Sequence, residues 1–364
     1  MAKRRIRVGI LFGGKSAEHE VSLQSAKNVA DAIDKTKYHV ALIGIDKSGR
    51  WLLPDQSRYL INDSDPKLIK LNRENEASVA LVPQSGGDLT NLTVGETHAS
   101  LDVVFPILHG PFGEDGTVQG LLKLAGVPFV GAGILGSAVG MDKDVMKRLM
   151  RDADIPIAKF LVFRHHDALD FQTIVGEVGL PFFVKPANLG SSVGVHKVKD
   201  EATFEHAVQD AFGYDTKILI EEFVEGRELE CSVLGNHDPV VSVVGEIIPT
   251  HDFYSYDAKY IDEEGAALAI PADIPEAVSD AMRALAVRAF QALACEGMAR
   301  VDCFWRKDGQ LIVNEINTIP GFTKISMYPQ LWGASGISYA DLIDRLIQLA
   351  IERFEREQTL KTSF

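Results

Sequence analysis

Gly297-Met298-Ala299-Arg300-Val301-Asp302-Cys303-Phe304-Trp305 and, beyond Lys307-Asp308-Gly309, Gln310-Leu311-Ile312-Val313-Asn314-Glu315-Ile316-Asn317-Thr318-Ile319-Pro320-Gly321 are two apolar runs of strand length joined by turn residues. This pattern predicts a β-hairpin. Asp302, Glu315 and Asn317 interrupt the apolar frame with oxygen donors, and the two-residue step from Glu315 to Asn317 places both on one face of a strand. Hard oxygen donors favour Mg²⁺ over zinc, and Mg²⁺ is usually held by one or two carboxylates together with nucleotide phosphates. The hairpin is therefore a candidate metal-nucleotide site. Arg300 alternates with Asp302, so its guanidinium points into the same space, where it could stabilise charge developing in a transition state. A half-exposed hairpin with solvated charges would share the local pattern, and the rest of the chain decides between the two readings.

Three other segments fit a nucleotide clamp. Val184-Lys185-Pro186-Ala187-Asn188-Leu189-Gly190-Ser191-Ser192-Val193-Gly194-Val195 reads as a strand, a small flexible turn and a returning strand. Its glycine amides could fold over phosphates while Lys185 supplies a point charge; a plain Gly-Ser hairpin is the alternative. Ile218-Leu219-Ile220-Glu221-Glu222-Phe223-Val224-Glu225-Gly226-Arg227-Glu228 is an apolar strand leaving into acidic residues, whose exit could read an adenine edge with Glu228 on ribose hydroxyls. Met141-Asp142-Lys143 adds a lysine at a helix start, and Asp257-Ala258-Lys259-Tyr260 another in a loop; either is also compatible with plain surface charge.

At 364 residues, and about 150 per domain, the chain has room for two or three domains. With 46% hydrophobic and 24% charged residues and no apolar run long enough to span a bilayer, a soluble globular protein is expected. The basic start, Met1-Ala2-Lys3-Arg4-Arg5, precedes a short strand rather than a signal-peptide core, so a cytoplasmic location is expected. Cys231, Cys295 and Cys303 form no paired spacing, which fits a reducing compartment. The net charge of −14 argues against a nucleic-acid partner.

Strand and helix patterns alternate from the start: a strand at Ile6 to Phe12, a helix at Val21 to Ile33, a strand at Tyr38 to Ile45. The stretch of about 51–100 is polar and weakly patterned, and reads as an insertion with small elements of its own. An apolar run at Leu101 to Leu108, a strand at Pro128 to Val130, glycines 131, 133 and 136, and a charged helix from about Asp142 to Asp152 follow. After Phe182 the pattern is strand-rich until two long helices, one starting at Pro275 and one opened by Ser338 with Asp341 three residues on. Gly9-Ile10-Leu11-Phe12-Gly13-Gly14-Lys15-Ser16 matches the P-loop pattern, but Ile10-Leu11-Phe12 still read as strand, leaving only Gly13-Gly14 as loop. The strand ending in Gly-Gly before a helix still presents amides and a helix dipole to a ligand, and Glu18 near that turn could bind an ammonium group.

Taken in order, Gly13-Gly14-Lys15-Ser16-Ala17-Glu18-His19-Glu20-Val21-Ser22, His109-Gly110 with Gly113-Glu114-Asp115-Gly116, Met141-Asp142-Lys143, Val184-Lys185-Pro186, Gly190-Ser191-Ser192-Val193-Gly194, Ala258-Lys259-Tyr260, and Asn314-Glu315-Ile316-Asn317-Thr318 with Pro320-Gly321 resemble the D-alanine-D-alanine ligases of the ATP-grasp superfamily. The resemblance runs almost end to end, in the family's longer bacterial form. It implies an α/β chain: an N-terminal open α/β, Rossmann-like domain at 1–132 carrying the 51–100 insertion, then an ATP-grasp fold of two α+β subdomains at 133–222 and 223–364.

The implied reaction phosphorylates the carboxylate of one D-alanine with ATP, and the amine of a second D-alanine displaces phosphate, for peptidoglycan precursors. By the same resemblance, Asp302, Glu315 and Asn317 hold two Mg²⁺, for which Mn²⁺ can substitute. Lys143 and Lys185 lie on the α and β phosphates, Lys259 lies near the γ phosphate, and Glu221, Phe223, Val224 and Glu228 contact adenosine. Glu18 binds the ammonium of the first D-alanine with His109 beside it, and Ser191 and Tyr260 hydrogen-bond with Glu18. Arg300 and the Gly321 N–H face the oxyanion, and Ser326 and Met327 meet the second substrate. A homodimer is expected from the family. Tyr260, where lactate-adding relatives carry histidine, favours D-alanine as second substrate. A ligase adding lactate or serine would keep the metal set and differ at Tyr260 and Ser326, and a P-loop NTPase would depend on Lys15.

Overall fold

The computed structural model describes residues 4–54, 59–63, 65, 68–72, 77–249 and 266–361. The chain opens with β1 (Ile6–Gly13), α1 (His19–Ala32), β2 (Tyr38–Ile45) and β3 (Trp51–Leu53). It passes through β4 (Leu60–Ile61), β5 (Lys70–Leu71), β6 (Ala77–Leu81), β7 (Asp88–Asn91) and β8 (Thr97–Ser100) to β9 (Val103–Ile107) and α2 (Thr117–Ala125). One sheet runs in the order β8-β7-β6-β3-β2-β1-β9. Its centre, β2-β1-β9, is parallel, which explains the nearly unbroken apolar runs of β1 and β9: both faces are covered. The stretch read as an insertion carries the small elements expected of it: antiparallel strands β3, β6, β7 and β8 extend the edge of that sheet, and β4 pairs with β5 apart from it.

The turn after β1 is locked from several sides. Gly13 has φ of +91°, and a Cβ there would lie 2.3 Å from the Ile45 carbonyl oxygen, so no other residue fits. Ser22 Oγ accepts from the Gly13 N–H at 2.7 Å and donates to the Ile107 carbonyl, while His19 Nδ1 donates to the Gly14 carbonyl at 2.8 Å. These bonds fix Glu18 at the start of α1. Gly9 lies within β1 under the Leu101 side chain, and Lys15 is exposed beside the Phe112 ring. The segment is a strand and turn, not a phosphate-wrapping loop.

Pro128 to Val130 contributes only a bridge from Phe129 to Val104 rather than the expected strand. Two helices follow, α3 (Ile134–Met141) and α4 (Lys143–Asp152), the second capped by Asp142, whose side chain accepts from the Asp144 and Val145 N–H groups. Next come β10 (Phe160–Arg164), α5 (Phe171–Val178), β11 (Phe182–Pro186), β12 (His196–Val198), α6 (Glu201–Tyr214) and β13 (Lys217–Glu222). They form an antiparallel sheet, β10-β13-β11-β12. Phe182, Val184, Ile218 and Ile220 on one face pack with Phe171, Ile174 and Phe204 of α5 and α6, so alternation leaves Lys185 and Glu221 on the other.

The last part holds β14 (Gly226–Gly235), β15 (Val240–Pro249), β16 (Ala266–Ala269), α7 (Glu276–Ala292), β17 (Gly297–Arg306), β18 (Leu311–Asn317), α8 (Met327–Ala334) and α9 (Tyr339–Gln358). Its sheet runs β16-β15-β14-β17-β18. Leu229, Cys231, Val301, Cys303 and Val313 bury one face beneath α4 and α7, with Met146, Met282 and Phe290. Helix α9 returns to the beginning of the chain: Leu342, Ile343, Leu346 and Ile347 share a core with Val8, Ile10 and Phe105. Burial contributes about 1.5–3 kcal/mol for each such side chain, and Leu234, Met298, Tyr328 and Trp332 join the same cluster, so the C-terminal helix is held jointly by the N-terminal sheet and by its own part of the chain.

Candidate active site

The hairpin pairs Asp302 with Glu315 and Arg300 with Asn317, with a register shift just after Asp302. Directly opposed residues share a face, so all four side chains leave the sheet together, away from the apolar face formed by Val301 and Cys303. Arg300 donates to both Asp302 oxygens at 2.7 Å, and Asn317 Nδ2 donates to Asp302 Oδ2 at 3.0 Å. Glu230, opposite Asp302 on β14, joins them through an ion pair with Arg300 at 2.9 Å. The sequence reading missed Glu230, although its two-residue step from Glu228 across the buried Leu229 is the signal that marks Glu315 and Asn317.

Lys143, at the first turn of α4, lies 3.6 Å from Glu315 and donates to the Leu189 carbonyl at 2.6 Å. The central sheet thus meets the C-terminal sheet through this helix. Lys185 forms an ion pair with one oxygen of Glu221, and Lys147, also absent from the sequence reading, forms one with the other. Burial alone pushes the Glu221 carboxyl up, but the two ammonium groups outweigh it and hold it below its ordinary value. Phe223 lies under the Lys197 ammonium, 3.8 Å from the ring centre, and near Phe183. Val224 is buried with Ala158 and Ile312, and Glu228 lies on β14, so these residues gather at the exit of β13. Lys259 and Tyr260 lie outside the described residues.

Glu18 is buried, and Ser191 Oγ donates to it. Ser191 and Ser192 both have positive φ, 53° and 59°, a conformation uncommon without glycine. The Gly190–Gly194 turn is therefore held in a specific shape against the N-terminal domain. His109 Nδ1 donates to the Ile319 carbonyl at 3.1 Å, which leaves Nε2 as the bare acceptor, buried and without a partner among the described residues. Burial holds this imidazole below its ordinary pKa, hence neutral. Glu114, another residue the sequence reading did not assign, accepts from the Gly110 N–H at 2.6 Å and the Ile319 N–H at 3.3 Å. Burial, and then the Glu18 charge, push its carboxyl up to about 8.

Ser326 caps the turn before α8, bonding Thr323 Oγ1 at 2.7 Å and accepting from the Thr323 N–H at 3.0 Å. A Cβ on Gly321 would stand 3.0 Å from Ser326 Oγ, so the turn closes only around a glycine or with that hydroxyl displaced. Glu18, His109, Ser191, Arg300, Glu315, Asn317, Gly321, Ser326 and Met327 line one cavity of about 100 Å³, together with Glu114 and Glu230. Lys143, Lys185, Glu221, Phe223, Val224, Glu228 and Asp302 stand outside its lining. Lys143 and Asp302 connect to it through Glu315 and Arg300.

Two antiparallel sheets, one carrying Lys185 and Glu221 and the other Asp302 and Glu315, bridged by the lysines of α4, make this an ATP-grasp protein. Family models described as D-ala D-ala ligase N-terminus and C-terminus match residues 7–132 and 149–348. A D-alanine–D-alanine ligase of Oceanobacillus iheyensis is 57% identical over 98% of this chain and 98% of its own length. D-alanine–D-alanine ligase A of Escherichia coli K12 is 53% identical over 99% of each. Among solved structures, the D-alanine-D-alanine ligase of Coxiella burnetii superposes with a TM-score of 0.85 at 38% identity, over 98% of this chain and 97% of that one. The VanG D-Ala:D-Ser ligase of Enterococcus faecalis superposes with a TM-score of 0.83 at 34% identity, over 95% of this chain and 100% of its own. The chain belongs to the D-alanine–D-alanine ligase family.

Proposed function

We propose that this protein joins two D-alanine molecules at the expense of ATP, releasing ADP and phosphate. The observation that carries this reading is the convergence on one cavity of a buried carboxylate, Glu18, a cation, Arg300, and the Glu315-Asn317 strand face. An amino acid needs an anion for its ammonium and cations for its carboxylate, and phosphoryl transfer needs charge compensation beside it. Glu18 holds the ammonium of the first D-alanine, and the neutral His109 offers Nε2 as a second acceptor. An oxygen of its carboxylate attacks the γ phosphorus, an O–P bond forms, and the bond to ADP breaks. The acyl phosphate replaces a poor leaving group with a good one and must be shielded from water. The free amine of the second D-alanine, whose carboxylate lies by Ser326 and Met327, then attacks the acyl carbon. Arg300 and the Gly321 N–H face the resulting oxyanion, and collapse breaks the C–O bond to phosphate, which leaves with the proton that the new amide nitrogen gives up.

Lys143 and Lys185 serve the α and β phosphates and Lys259 the γ phosphate. Glu221, Phe223, Val224 and Glu228 take the adenosine, and Tyr260 joins Ser191 at Glu18. Asp302, Glu315 and Asn317 would hold two Mg²⁺, with Mn²⁺ as a substitute. The fit is chemical: two carboxylates opposed in register beside an amide are a hard oxygen set, already neutralised here by Arg300 and Lys143. Held there, the ions would supply positive charge against the phosphates of the nucleotide.

The same reading includes a division at 1–132, 133–222 and 223–364, a homodimer, a cytoplasmic location and a role in peptidoglycan precursor synthesis. None of the helices among the described residues is long and apolar enough to cross a membrane. Mass spectrometry of products formed from ATP, Mg²⁺ and D-alanine, with D-serine and D-lactate competing, tests it. D-alanyl-D-alanine with equimolar ADP is expected. A mixed dipeptide or depsipeptide as main product would change the second substrate, and ATP hydrolysis indifferent to D-alanine would overturn the ligase reading.

A further inference from the structure

Lys147 is the most deeply buried lysine of the site, with no solvent-accessible surface. It follows Lys143 by one turn on α4, so both project from the same side of the helix, but their surroundings differ. Lys143 keeps a partly open side chain near Glu315, whereas Lys147 is closed in, with Met146 and Met150 of its own helix packed into the core. Its ammonium forms an ion pair with Glu221 and donates to the carbonyl of Asn314 at 3.2 Å, on the strand that carries Glu315 and Asn317. An ammonium so enclosed cannot reach a ligand without unpacking α4. Lys185, at the edge of the same carboxylate, retains some exposure.

The arrangement is a buried carboxylate held between two cations, of which one is fixed and one is accessible. A buried carboxylate stripped of all partners is strongly unfavourable. If Glu221 had Lys185 alone, that lysine could not turn to a phosphate without leaving the charge uncompensated. With Lys147 in place, it can.

We propose that Lys147 is a positioning residue that serves as the permanent counter-ion of Glu221, leaving Lys185 free to exchange between Glu221 and a nucleotide phosphate. The proposal deepens the ligase reading above and rests on its use of ATP. Lys147 touches no reacting atom; it acts through the carboxylate and the lysine across from it. Its bond to the Asn314 carbonyl also ties the β13 exit to the β18 strand, so the nucleotide and metal sides keep their spacing.

The test is steady-state kinetics and ATP binding for Lys147→Met, Glu221→Gln and the double variant, beside wild type. In Lys147→Met, Glu221 captures Lys185, so the KM for ATP and its Kd rise about tenfold to a hundredfold, the usual cost of one charge-assisted contact. The KM for D-alanine and kcat at saturating ATP change by less than about threefold, because the groups facing the amino acids are elsewhere. Adding Glu221→Gln removes the captor, and ATP affinity returns to within a fewfold of Glu221→Gln alone. A purely structural lysine would lower Tm and kcat without this selectivity, and the double variant would be no better; that result overturns the proposal. Should Lys147→Met fail to fold, the double variant carries the test, and an ATP KM well above that of Glu221→Gln alone overturns it. Wild type lacking ATP-dependent dipeptide synthesis would sink the ligase reading, while the ATP-binding comparison still decides the role of Lys147.

Discussion

On the C-terminal sheet the ionic side chains stand on strands, Arg300 opposite Asn317 and Asp302 opposite Glu315, and each is braced by a neighbour in register. The N-terminal domain reaches the same cavity with its ionisable groups from turns and helix starts: Glu18 follows the Gly13-Gly14 turn, and His109 follows the end of β9. The strand-borne set has little freedom, because moving one residue means moving the ladder. The turn-borne set depends on contacts across the cavity, Glu18 on Ser191 and His109 on the Ile319 carbonyl. One half of the site is therefore held by its own ladder, and the other by bonds that span the cavity.

That contrast can be broken most directly on the strand side. Glu315→Ala is expected to lower kcat by about a thousandfold or more, the loss of several kcal/mol of charge stabilisation, with an unchanged circular dichroism spectrum. Arg300→Met should cost about a hundredfold to a thousandfold in kcat, as for removal of an oxyanion donor; a loss confined to KM would move Arg300 from the transition state to ground-state binding.

On the turn side, Ser191→Ala removes one charge-assisted hydrogen bond to Glu18. It should raise the KM for the first D-alanine about tenfold and touch kcat less. Were it to match Glu315→Ala in kcat, the division between a ladder-held and a cavity-spanning half would be wrong.

Glu114 sharpens the comparison through pH. Its carboxyl is raised from 4.5 to about 8 in the folded chain, so between those values the folded state holds a proton that the unfolded state has released. Its contribution to stability is therefore lost as pH rises through that window, and the loss is complete above it. Glu114→Gln should flatten the fall of Tm between about pH 5 and pH 8, at a constant cost of about 1–3 kcal/mol because one backbone N–H loses its acceptor. An unchanged slope would place the titrating group elsewhere. The smallest effect is expected far from the cavity: Ser338→Ala should remove the α9 cap, where Ser338 Oγ accepts from the Asp341 N–H at 3.2 Å. It should cost about 1 kcal/mol in urea unfolding and leave turnover unchanged.

How much could be read beforehand follows the same division. The hairpin is legible because alternation of polar and apolar residues is a local signal, and the sequence alone places Asp302, Glu315, Asn317 and Arg300 together. In the 51–100 stretch only the presence of small elements was legible, since short edge strands with half-polar faces carry little periodicity; that most of them extend the first sheet was not. Helices α2, α5 and α6 also passed unassigned, being short or diluted by polar residues that cover a sheet from one side.

The order of motifs along the chain determined by itself the family, the strand set of the face that carries Arg300, Asp302, Glu315 and Asn317, and the rejection of Gly9–Ser16 as a phosphate loop. Only the tertiary structure decided that Glu230, Glu114 and Lys147 belong to the site and that α9 packs on the first sheet. It alone brought the Ser191 turn onto Glu18. The physical reason is range. Strand alternation and helix caps are set by neighbours within a few residues. A buried charge instead declares its role only through its counter-ion, and for Lys147 and Glu221 that partner lies on another element, brought near by the packing of α4 against two sheets.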